Sequence, residues 1–383
     1  MIDPDTDHEP TDARPATPTE TDGTKPVSGT ADDEATNTRT DTVLEIEELS
    51  VTFETDRATV RALREVSFDV RAGEIFGIVG ESGSGKTVTA RSILGLLDAE
   101  ATITGGEIRY DGRDLTTLDD GAFRRLRGDE ISMVFQDPLS SLNPVLTIGS
   151  QVEEAVTPTE SWMNYPLGRL LARLLARNAQ SDARADVVEI LEQVGIPNPA
   201  DRLDSYPHEF SGGMRQRVLI AIAIAARPTL LIVDEPTTAL DVTTQANVLQ
   251  LLNRLRAETE MSILIISHDL GVVAQLADRT AIMYAGEIME LAPTRAAFKE
   301  TRHPYTNELL KSLPQTGDET EELHSIEGTV PSLLDVPDGC IFSDRCPNAT
   351  DQCRTQPPIE ETDGHQYACH HPITDDDRYF SQT

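Results

Sequence analysis

Short, mainly apolar runs alternate with stretches of helical periodicity along most of this chain. The runs at 74–79, 131–135, 230–235 and 263–267 predict strands that are buried on both faces. Apolar positions at helical spacing predict helices at 89–97, within 151–196, from 211 to 226 and after 241. Strands that alternate with helices in this way are typical of an α/β fold.

The N-terminal part follows a different pattern. Apolar and polar residues alternate with a period of two at 44–47 and 66–70, and 106–110 is followed by the turn pair Asp111-Gly112, which predicts a β-rich subdomain. Residues 1–41 consist mainly of Asp, Glu, Thr and Pro with hardly a large apolar side chain. Because such a segment cannot offset the entropy of ordering, we expect a disordered acidic tail.

Net charge narrows the class of protein. The formal charge is −34, from 66 acidic and 32 basic residues, which argues against a general nucleic-acid binder. Lysine occurs only at 25, 86, 299 and 311. An acidic, lysine-poor chain is typical of salt-accumulating halophiles, where concentrated salt screens self-repulsion. The alternative is an ordinary acidic protein with an acidic tail, but the acidity extends through the part that is predicted to fold.

Membrane and export signals are weak in this sequence. The longest apolar run, 218–226, is far shorter than the roughly 20 residues that span a bilayer. The start, MIDPDTDHEP, has neither a basic nor an apolar segment, so we expect a cytoplasmic protein.

A glycine-rich loop follows the run at 74–79 and precedes a helix. It reads GESGSGKT and comprises Gly80, Glu81, Ser82, Gly83, Ser84, Gly85, Lys86 and Thr87. Glycines let successive backbone N–H groups curl around an anion, and the helix directs its positive end to the same place. Lys86 is expected at the β- and γ-phosphates and Thr87 at Mg²⁺. A plain Gly/Ser turn is the alternative, which the flanking strand and helix disfavour.

A second set of polar residues occurs further along the chain. Ser211, Gly212 and Gly213 open a helix, which predicts another anion-binding end. The buried run at 230–235 ends in Asp234 and Glu235, where one carboxylate can hold Mg²⁺ through water and the next can polarise an attacking water. Asp241 follows, and His268 ends the next strand.

One predicted helix stands out by its charge. Leucines at 167, 170, 171, 174 and 175 form an apolar stripe, and arginines at 169, 173 and 177 lie on another face. A solvated arginine face is the favoured interpretation, and contact with a membrane partner or anionic lipid headgroups is the alternative.

The order of these motifs between 43 and 291 resembles that of ATP-binding cassette (ABC) ATPases. The motifs follow one another in the order that is typical of the family: the phosphate loop, Gln136, the SGG signature, Asp234-Glu235, Asp241 and His268. The stretches QDP at 136–138, SLNP at 141–144, YPHEFSGGM at 206–214 and HPYT at 303–306 are similar to the oligopeptide/dipeptide importer branch, which includes nickel importers.

The resemblance implies roles for individual residues. Phe53 stacks on adenine, Gln136 contacts Mg²⁺ or water, Asp234 supports Mg²⁺, Glu235 activates water and His268 holds the γ-phosphate. Two ATPase domains sandwich two ATP molecules, so Ser211, Gly212 and Gly213 complete a site across the dimer. Phe53 departs from the tyrosine often found there, although ring stacking does not need the hydroxyl.

The resemblance also implies an assembly. We expect an ATPase domain at 42–292, with a helical subdomain at about 137–226, and a C-terminal extension at 293–383. The partners are two transmembrane permeases, a second ATPase subunit in a heterodimer and an extracellular substrate-binding protein, which puts this chain at the cytoplasmic face of the membrane. A soluble cassette of translation, ribosome recycling or DNA repair is the alternative, but this chain has one phosphate loop, one signature and an acidic balance.

Four cysteines, at 340, 346, 353 and 369, all lie beyond the ATPase motifs. A reducing cytoplasm disfavours two disulfides, and sets of four thiolates hold zinc or iron–sulfur clusters. Structural zinc usually shows a tighter pair of cysteines than this spacing provides. The segment resembles the extension of peptide-importer ATPases, for which a [4Fe-4S] cluster is implied, and zinc remains the alternative.

Overall fold

The computed structural model describes residues 42–55, 58–137, 141–156, 183–238, 240–313, 324–334 and 336–379. The predicted acidic tail at 1–41 and the predicted leucine and arginine helix at 167–177 lie outside these residues. Within them, none of the helices has the length and hydropathy needed to cross a bilayer.

Twelve strands are present in the described ranges. In chain order β1 to β12 are Thr42–Glu54, Thr59–Arg71, Ile75–Val79, Ala101–Tyr110, Arg113–Asp114, Ile131–Val134, Leu230–Asp234, Ser262–Ser267, Arg279–Tyr284, Glu287–Pro293, Ile359–Thr362 and His365–Ala368. The four strands predicted from apolar runs are β3, β6, β7 and β8, and each prediction is confirmed to within one residue at either end. All four are almost entirely buried, which explains their continuous apolar character.

Helices connect these strands. In chain order α1 to α10 are Lys86–Ile93, Asp120–Asp129, Ile148–Val156, residues 183–193, Pro199–Arg202, Gly212–Ile224, Val242–Thr259, Leu270–Leu276, Thr294–Lys299 and Pro304–Lys311. Several begin at a side-chain cap: Ser211 accepts a hydrogen bond from the N–H of Met214, and Asp241 accepts one from the N–H of Thr244. Such caps satisfy backbone donors that the first helical turn leaves free.

The strands form two sheets. β2, β1, β4 and β5 make an antiparallel sheet, which confirms the predicted β-rich N-terminal part. The larger sheet has the order β11-β12-β10-β9-β3-β8-β7-β6. Its five strands β9, β3, β8, β7 and β6 are parallel, so their carboxyl ends share one edge. Ligands of open α/β sheets bind beyond that edge.

The C-terminal region packs against the same sheet. β12 pairs with β10 in antiparallel register, so the sheet continues into residues 359–368. The fully buried carboxylate of Glu290 accepts hydrogen bonds from Thr301 Oγ1, at 3.0 Å, and from the N–H groups of Arg302 and His303, at 2.7 and 3.1 Å. Nε2 of His365 lies 2.6 Å from the same carboxylate. Glu290 therefore joins two segments of the C-terminal region, at 301–303 and at His365, to β10.

Candidate functional site

The polar residues predicted from the sequence meet at the carboxyl edge of the parallel sheet. Val79 at the end of β3 pairs with Ser267 at the end of β8, and Asp234 at the end of β7 pairs with Ile266. Val134 of β6 pairs with Val233. The phosphate loop, the two carboxylates, His268 and Gln136 each follow one of these strand ends, so residues far apart in sequence share one edge.

The loop after β3 takes a shape that its glycines permit. Gly83 and Gly85 have φ of 79° and 105°, in the left-handed region that side chains disfavour. A Cβ on Gly80 would lie 2.0 Å from the carbonyl oxygen of Met283, because β9 passes directly beside the loop. Gly85 also precedes the first turn of α1, whose free N–H groups face the loop. This local geometry is that of an anion site.

Lys86 turns back into the loop that precedes it. Its ammonium donates to the carbonyl oxygens of Gly80 and Glu81, both at 2.9 Å. Burial lowers the pKa of Lys86, and the nearby carboxylates of Glu235, Asp234 and Glu81 oppose that shift. The loop therefore holds a buried cation by its own carbonyl groups, at the position where a phosphate chain would be bound.

Thr87 and Asp234 form the second part of the site. The Thr87 hydroxyl donates to Oδ2 of Asp234 at 3.0 Å. Asp234 is 2% exposed, and its Oδ1 is buried without a hydrogen-bond partner. Burial raises the pKa of Asp234, and the neighbouring Glu235 raises it further. A buried carboxylate oxygen without a donor, beside a hydroxyl, fits the oxygen ligands and ordered waters that Mg²⁺ prefers.

Glu235 and His268 form a pair next to these groups. His268 Nδ1 lies 2.6 Å from Oε2 of Glu235, and the Thr238 hydroxyl donates to the same oxygen at 3.0 Å. Glu235 has φ of 53°, in the left-handed region, and its N–H donates to the carbonyl of Ile266 at 2.8 Å. Such backbone strain at a non-glycine residue clusters at functional sites. His268 is 58% exposed, so the pair is open on one side.

The other predicted residues lie in different surroundings. Gln136 is exposed just beyond β6. Phe53 is half-buried on β1 and packs against the core of the antiparallel sheet. Asp241 caps α7, since Oδ2 also accepts from the Thr244 hydroxyl at 2.7 Å, and these hydrogen bonds lower its pKa. The roles of Gln136, Phe53 and Asp241 towards nucleotide stay predictions.

The signature residues start helix α6. Ser211 and Gly212 are exposed, and a Cβ on Gly213 would lie 2.3 Å from Cγ2 of Thr244. Glycine is therefore required at 213 for α6 to approach α7, while Ser211 and Gly212 face outward. An exposed anion-binding helix end is able to contact a ligand held by another subunit.

Sequence reasoning missed four residues around the phosphate loop. The sequence carries no signal for Thr238, which donates to Glu235. Tyr284, Tyr305 and Arg345 surround Glu81. The stretch HPYT at 303–306 contains Tyr305, but in the sequence it indicates only a family resemblance. No spacing rule could have found these contacts, because Arg345 is 264 residues from Glu81.

The four cysteines are brought together by the C-terminal region. All of them line one small cavity, together with His303, His370 and His371. All four are free thiols, and three are buried. Burial raises the pKa of Cys340, that of Cys346 to about 11 and that of Cys369 to about 12. Within the described ranges, no group of three or more His, Cys, Asp or Glu side chains is arranged to hold a metal ion.

Two family descriptions match this chain. Residues 63–238 match the family described as ABC transporter, and residues 289–353 match the one described as oligopeptide/dipeptide transporter, C-terminal region. The second match contains three of the four cysteines and Arg345.

Individual relatives match nearly over their whole length. The dipeptide transport ATP-binding protein DppD of Escherichia coli (strain K12) is 44% identical over 335 residues, 87% of this chain and 98% of that protein. DppD of Bacillus subtilis (strain 168) is 46% identical over 330 residues, 85% and 94%. A putative peptide import ATP-binding protein of Brucella abortus (strain 2308) is 47% identical over 332 residues, 86% and 95%.

Solved structures agree with the fold. A dimeric ATP-binding cassette in a post-hydrolysis state, bound to ADP and Pi, matches with a TM-score of 0.55 and 26% identity, over 66% of this chain and 99% of that chain. The protein cbiO1 from Clostridium perfringens, part of the ABC transporter complex cbiONQ, matches with a TM-score of 0.56 and 25% identity, over 68% and 92%. Taken with the site at the sheet edge, these matches show that the chain belongs to the ABC transporter ATPases, in the branch that has the oligopeptide/dipeptide C-terminal region.

Proposed function

We propose that this chain is the ATP-hydrolysing subunit that drives an importer for peptides of the oligopeptide or dipeptide type. The observation that carries the proposal is the Glu235–His268 pair beside the phosphate loop, with Nδ1 and Oε2 2.6 Å apart. Support for the peptide cargo comes from the relatives, which are named as a dipeptide transport ATP-binding protein and a putative peptide import ATP-binding protein. The soluble alternative in translation or DNA repair has no such support.

MgATP is the proposed substrate. Residues 80–87 bind its phosphates through backbone N–H groups, and Lys86 exchanges its loop carbonyls for phosphate oxygens. Thr87, Asp234 and Gln136 face the magnesium ion of the substrate, Phe53 lies against the adenine and Asp241 supports the site from the start of α7. Catalysis of this kind depends on positioning and charge neutralisation.

Glu235 is the proposed general base. Its carboxylate orients and polarises the attacking water, and His268 holds the γ-phosphate beside it. The Thr238 hydroxyl and the imidazole both contact Oε2, so one carboxylate oxygen is fixed while the other stays free to accept from water. This arrangement supports a carboxylate that stays in one orientation through the reaction.

A dimer completes the proposed site. Ser211, Gly212 and Gly213 of one subunit bind the nucleotide on the phosphate loop of the other, which is consistent with the exposure of Ser211 and Gly212. A related cassette is a dimer in its post-hydrolysis state. We propose a heterodimer with a second ATPase. Binding of ATP closes the sandwich, and hydrolysis reopens it.

Two transmembrane permeases and an extracellular substrate-binding protein complete the proposed complex. Three exposed large apolar side chains support the permease contact, and one of them, Phe135, directly precedes Gln136: Phe135 is 42% exposed, Val145 76% and Tyr206 40%. The chain then works at the cytoplasmic face of the membrane.

We also propose a [4Fe-4S] cluster at Cys340, Cys346, Cys353 and Cys369. Four cysteines around one cavity are the donor set of such clusters. The raised thiol pKa values mean that thiolates here need compensating positive charge, which a metal centre supplies. Structural zinc sites usually include a pair of cysteines that are two to four residues apart, and the cysteines at 340, 346, 353 and 369 lack such a pair. Zinc is therefore the second choice.

Iron and acid-labile sulfide analysis of anaerobically purified protein tests the cluster. Four iron and four sulfide per chain are expected. Stoichiometric zinc without sulfide would establish the alternative, and absence of both metals would remove the centre.

A high-salt setting is a further part of the proposal, supported by the charge of −34 and the scarcity of lysine. Resistance to urea should rise with KCl concentration, because salt screens the self-repulsion. Equal resistance at low and molar KCl would contradict it.

Glu235→Gln tests the catalytic assignment. Loss of the base should lower the ATP hydrolysis rate by about 100-fold or more and leave MgATP binding within a few-fold of wild type. Glu258→Gln, on the exposed side of α7, is the matched control. Hydrolysis by Glu235→Gln at the wild-type rate would show that another group is the base.

Affinity purification from native membranes in high salt, with mass spectrometry, should recover two permeases and a second ATPase. Ribosomal or DNA-repair partners would overturn the transport assignment.

A further inference from the structure

Arg345, in the C-terminal region, contacts the phosphate loop. Arg345 lies at the end of a short 3₁₀ turn, directly before Cys346, and its side chain is 6% exposed. Its Nη1 donates to Oε1 and Oε2 of Glu81, both at 3.0 Å, and to the hydroxyl of Tyr284 at 3.2 Å. Glu81 is the second residue of the phosphate loop. A long-range ion pair thus links the cysteine segment, residues 340–369, to the phosphate loop.

The remaining donors of Arg345 hold it in place. Nε donates to the carbonyl of Glu327 at 3.0 Å, and Nη2 donates to the carbonyl of Ile326 at 3.2 Å. The guanidinium also lies 5.7 Å from the centroid of the Tyr284 ring. Because the planar group is bound on several sides, it reaches Glu81 in one fixed orientation.

The backbone of Glu81 is fixed as well. Its N–H donates to the hydroxyl of Tyr305 at 3.2 Å, and burial raises the pKa of Tyr305, so that hydroxyl stays neutral. The rings of Tyr284 and Tyr305 are 4.6 Å apart, and Phe342 packs against both. Residues of β9, α10 and the C-terminal region therefore form an aromatic support behind the loop.

The sign of the charge on Glu81 makes this contact consequential. A carboxylate in a loop that binds a triphosphate repels the ligand, and its backbone carbonyl already holds Lys86 at 2.9 Å. Arg345 neutralises the carboxylate and draws it towards the C-terminal region, since the pair is only partly exposed. Without the arginine, an unpaired negative charge would remain beside the phosphates.

We propose that Arg345 is a positioning residue for the nucleotide site: it holds and neutralises Glu81, and thereby couples the folded cysteine segment to the affinity for MgATP. The inference rests on the proposed function in one respect, the binding of MgATP at residues 80–87. Arg345 itself does not touch the reacting atoms.

The first test is Arg345→Met. We expect the Kd and KM for MgATP to rise by roughly 10-fold, with kcat changed by less than about 3-fold, because a charge near a bound anion affects ground state and transition state alike. Raising the salt concentration should shrink the difference. Arg354→Met is the matched control: Arg354 also adjoins a cysteine of the same segment, but it is 83% exposed and pairs only with Asp351 among the ion pairs of the described chain.

The substitution Glu81→Gln distinguishes a positioning role of Arg345 from a purely structural one. In the Arg345→Met background this second change removes the unpaired charge and should restore the Kd to within about 3-fold of wild type. Weak binding that Glu81→Gln fails to restore would show that Arg345 only stabilises the C-terminal segment, and it would overturn the proposal. Unchanged binding by Arg345→Met would overturn it as well.

Glu81→Gln alone keeps the test decisive if Arg345→Met does not fold. That variant retains Arg345 and its carbonyl contacts, and it should bind MgATP several-fold more tightly because one negative charge has left the loop. An unchanged or weaker affinity would refute the electrostatic argument. If the wild-type protein itself fails to bind MgATP, the proposed nucleotide site is wrong, and that result is distinct from every outcome above.

Discussion

Glu290 offers the sharpest test of how the C-terminal region is held to the ATPase core. Its carboxylate is completely buried and accepts from Thr301, Arg302 and His303, with His365 Nε2 2.6 Å away. Replacement of Glu290 by Ala would leave two backbone N–H groups without an acceptor at a site that water does not reach. The Thr301 hydroxyl is able to rotate, so it contributes less.

The expected magnitude follows from these contacts. Each buried donor left without a partner costs about 1–3 kcal/mol. Two backbone N–H groups and the His365 contact then give a loss of roughly 3–5 kcal/mol in the free energy of unfolding for Glu290→Ala. Glu290→Gln keeps one acceptor oxygen, and we expect a loss of about 1–3 kcal/mol.

Urea titration at constant ionic strength measures both variants, with far-ultraviolet circular dichroism as the probe. Glu360→Ala is the control, since Glu360 is exposed on β11 and its carboxylate accepts a hydrogen bond from the Tyr367 hydroxyl at 2.7 Å. A loss below about 1 kcal/mol for Glu290→Ala would refute the reasoning, because it would mean that water or a rearranged segment satisfies the donors.

Three further predictions follow from local contacts. Thr238→Val removes a donor to Glu235 and should lower kcat about 3- to 10-fold with MgATP affinity unchanged; a changed affinity with constant kcat would contradict this. Gly80→Ala should cost about 1–3 kcal/mol of stability and abolish MgATP binding, because its Cβ would meet the Met283 carbonyl oxygen at 2.0 Å. Gly83→Ala, in open space at φ 79°, should cost about 1–2 kcal/mol through backbone strain alone. Equal Tm values for Gly80→Ala and wild type would refute the steric argument. The pKa of Asp69 is lowered because hydrogen bonds and charge from Arg279 outweigh burial. The contribution of Asp69 to stability is therefore present above about pH 4 and is lost as the pH falls through its lowered pKa. The urea midpoint of Asp69→Asn should differ from that of wild type near pH 6, and the two midpoints should converge at acid pH.

The sequence predicted the strands and the local chemistry of the site. The runs at 74–79 and 230–235 were long enough and apolar enough to indicate burial on both faces, and the structure has β3 and β7 there. The glycines that follow the first run indicated a tight loop around an anion. Asp234 and Glu235 could be assigned in the same way, since a strand end carries their side chains to the sheet edge.

Contacts between distant segments could not be predicted. The pairing of His268 with Glu235 joins the loops that follow β8 and β7, which are distant in sequence. Periodicity reports only which face of an element is buried. It carries no information about which side chain from another element lies against that face.

The amino-acid sequence by itself determined the phosphate loop, the polar residues at the ends of the buried strands and the set of four cysteines. Only the tertiary structure decided that the cysteine segment packs against the nucleotide site, through Arg345 and Glu81. The physical reason is that local signals arise from neighbours within a few residues, whereas this ion pair depends on the docking of the C-terminal region onto β10 and β9. That docking is determined by the summed packing and hydrogen bonds of Glu290, Tyr305 and Phe342.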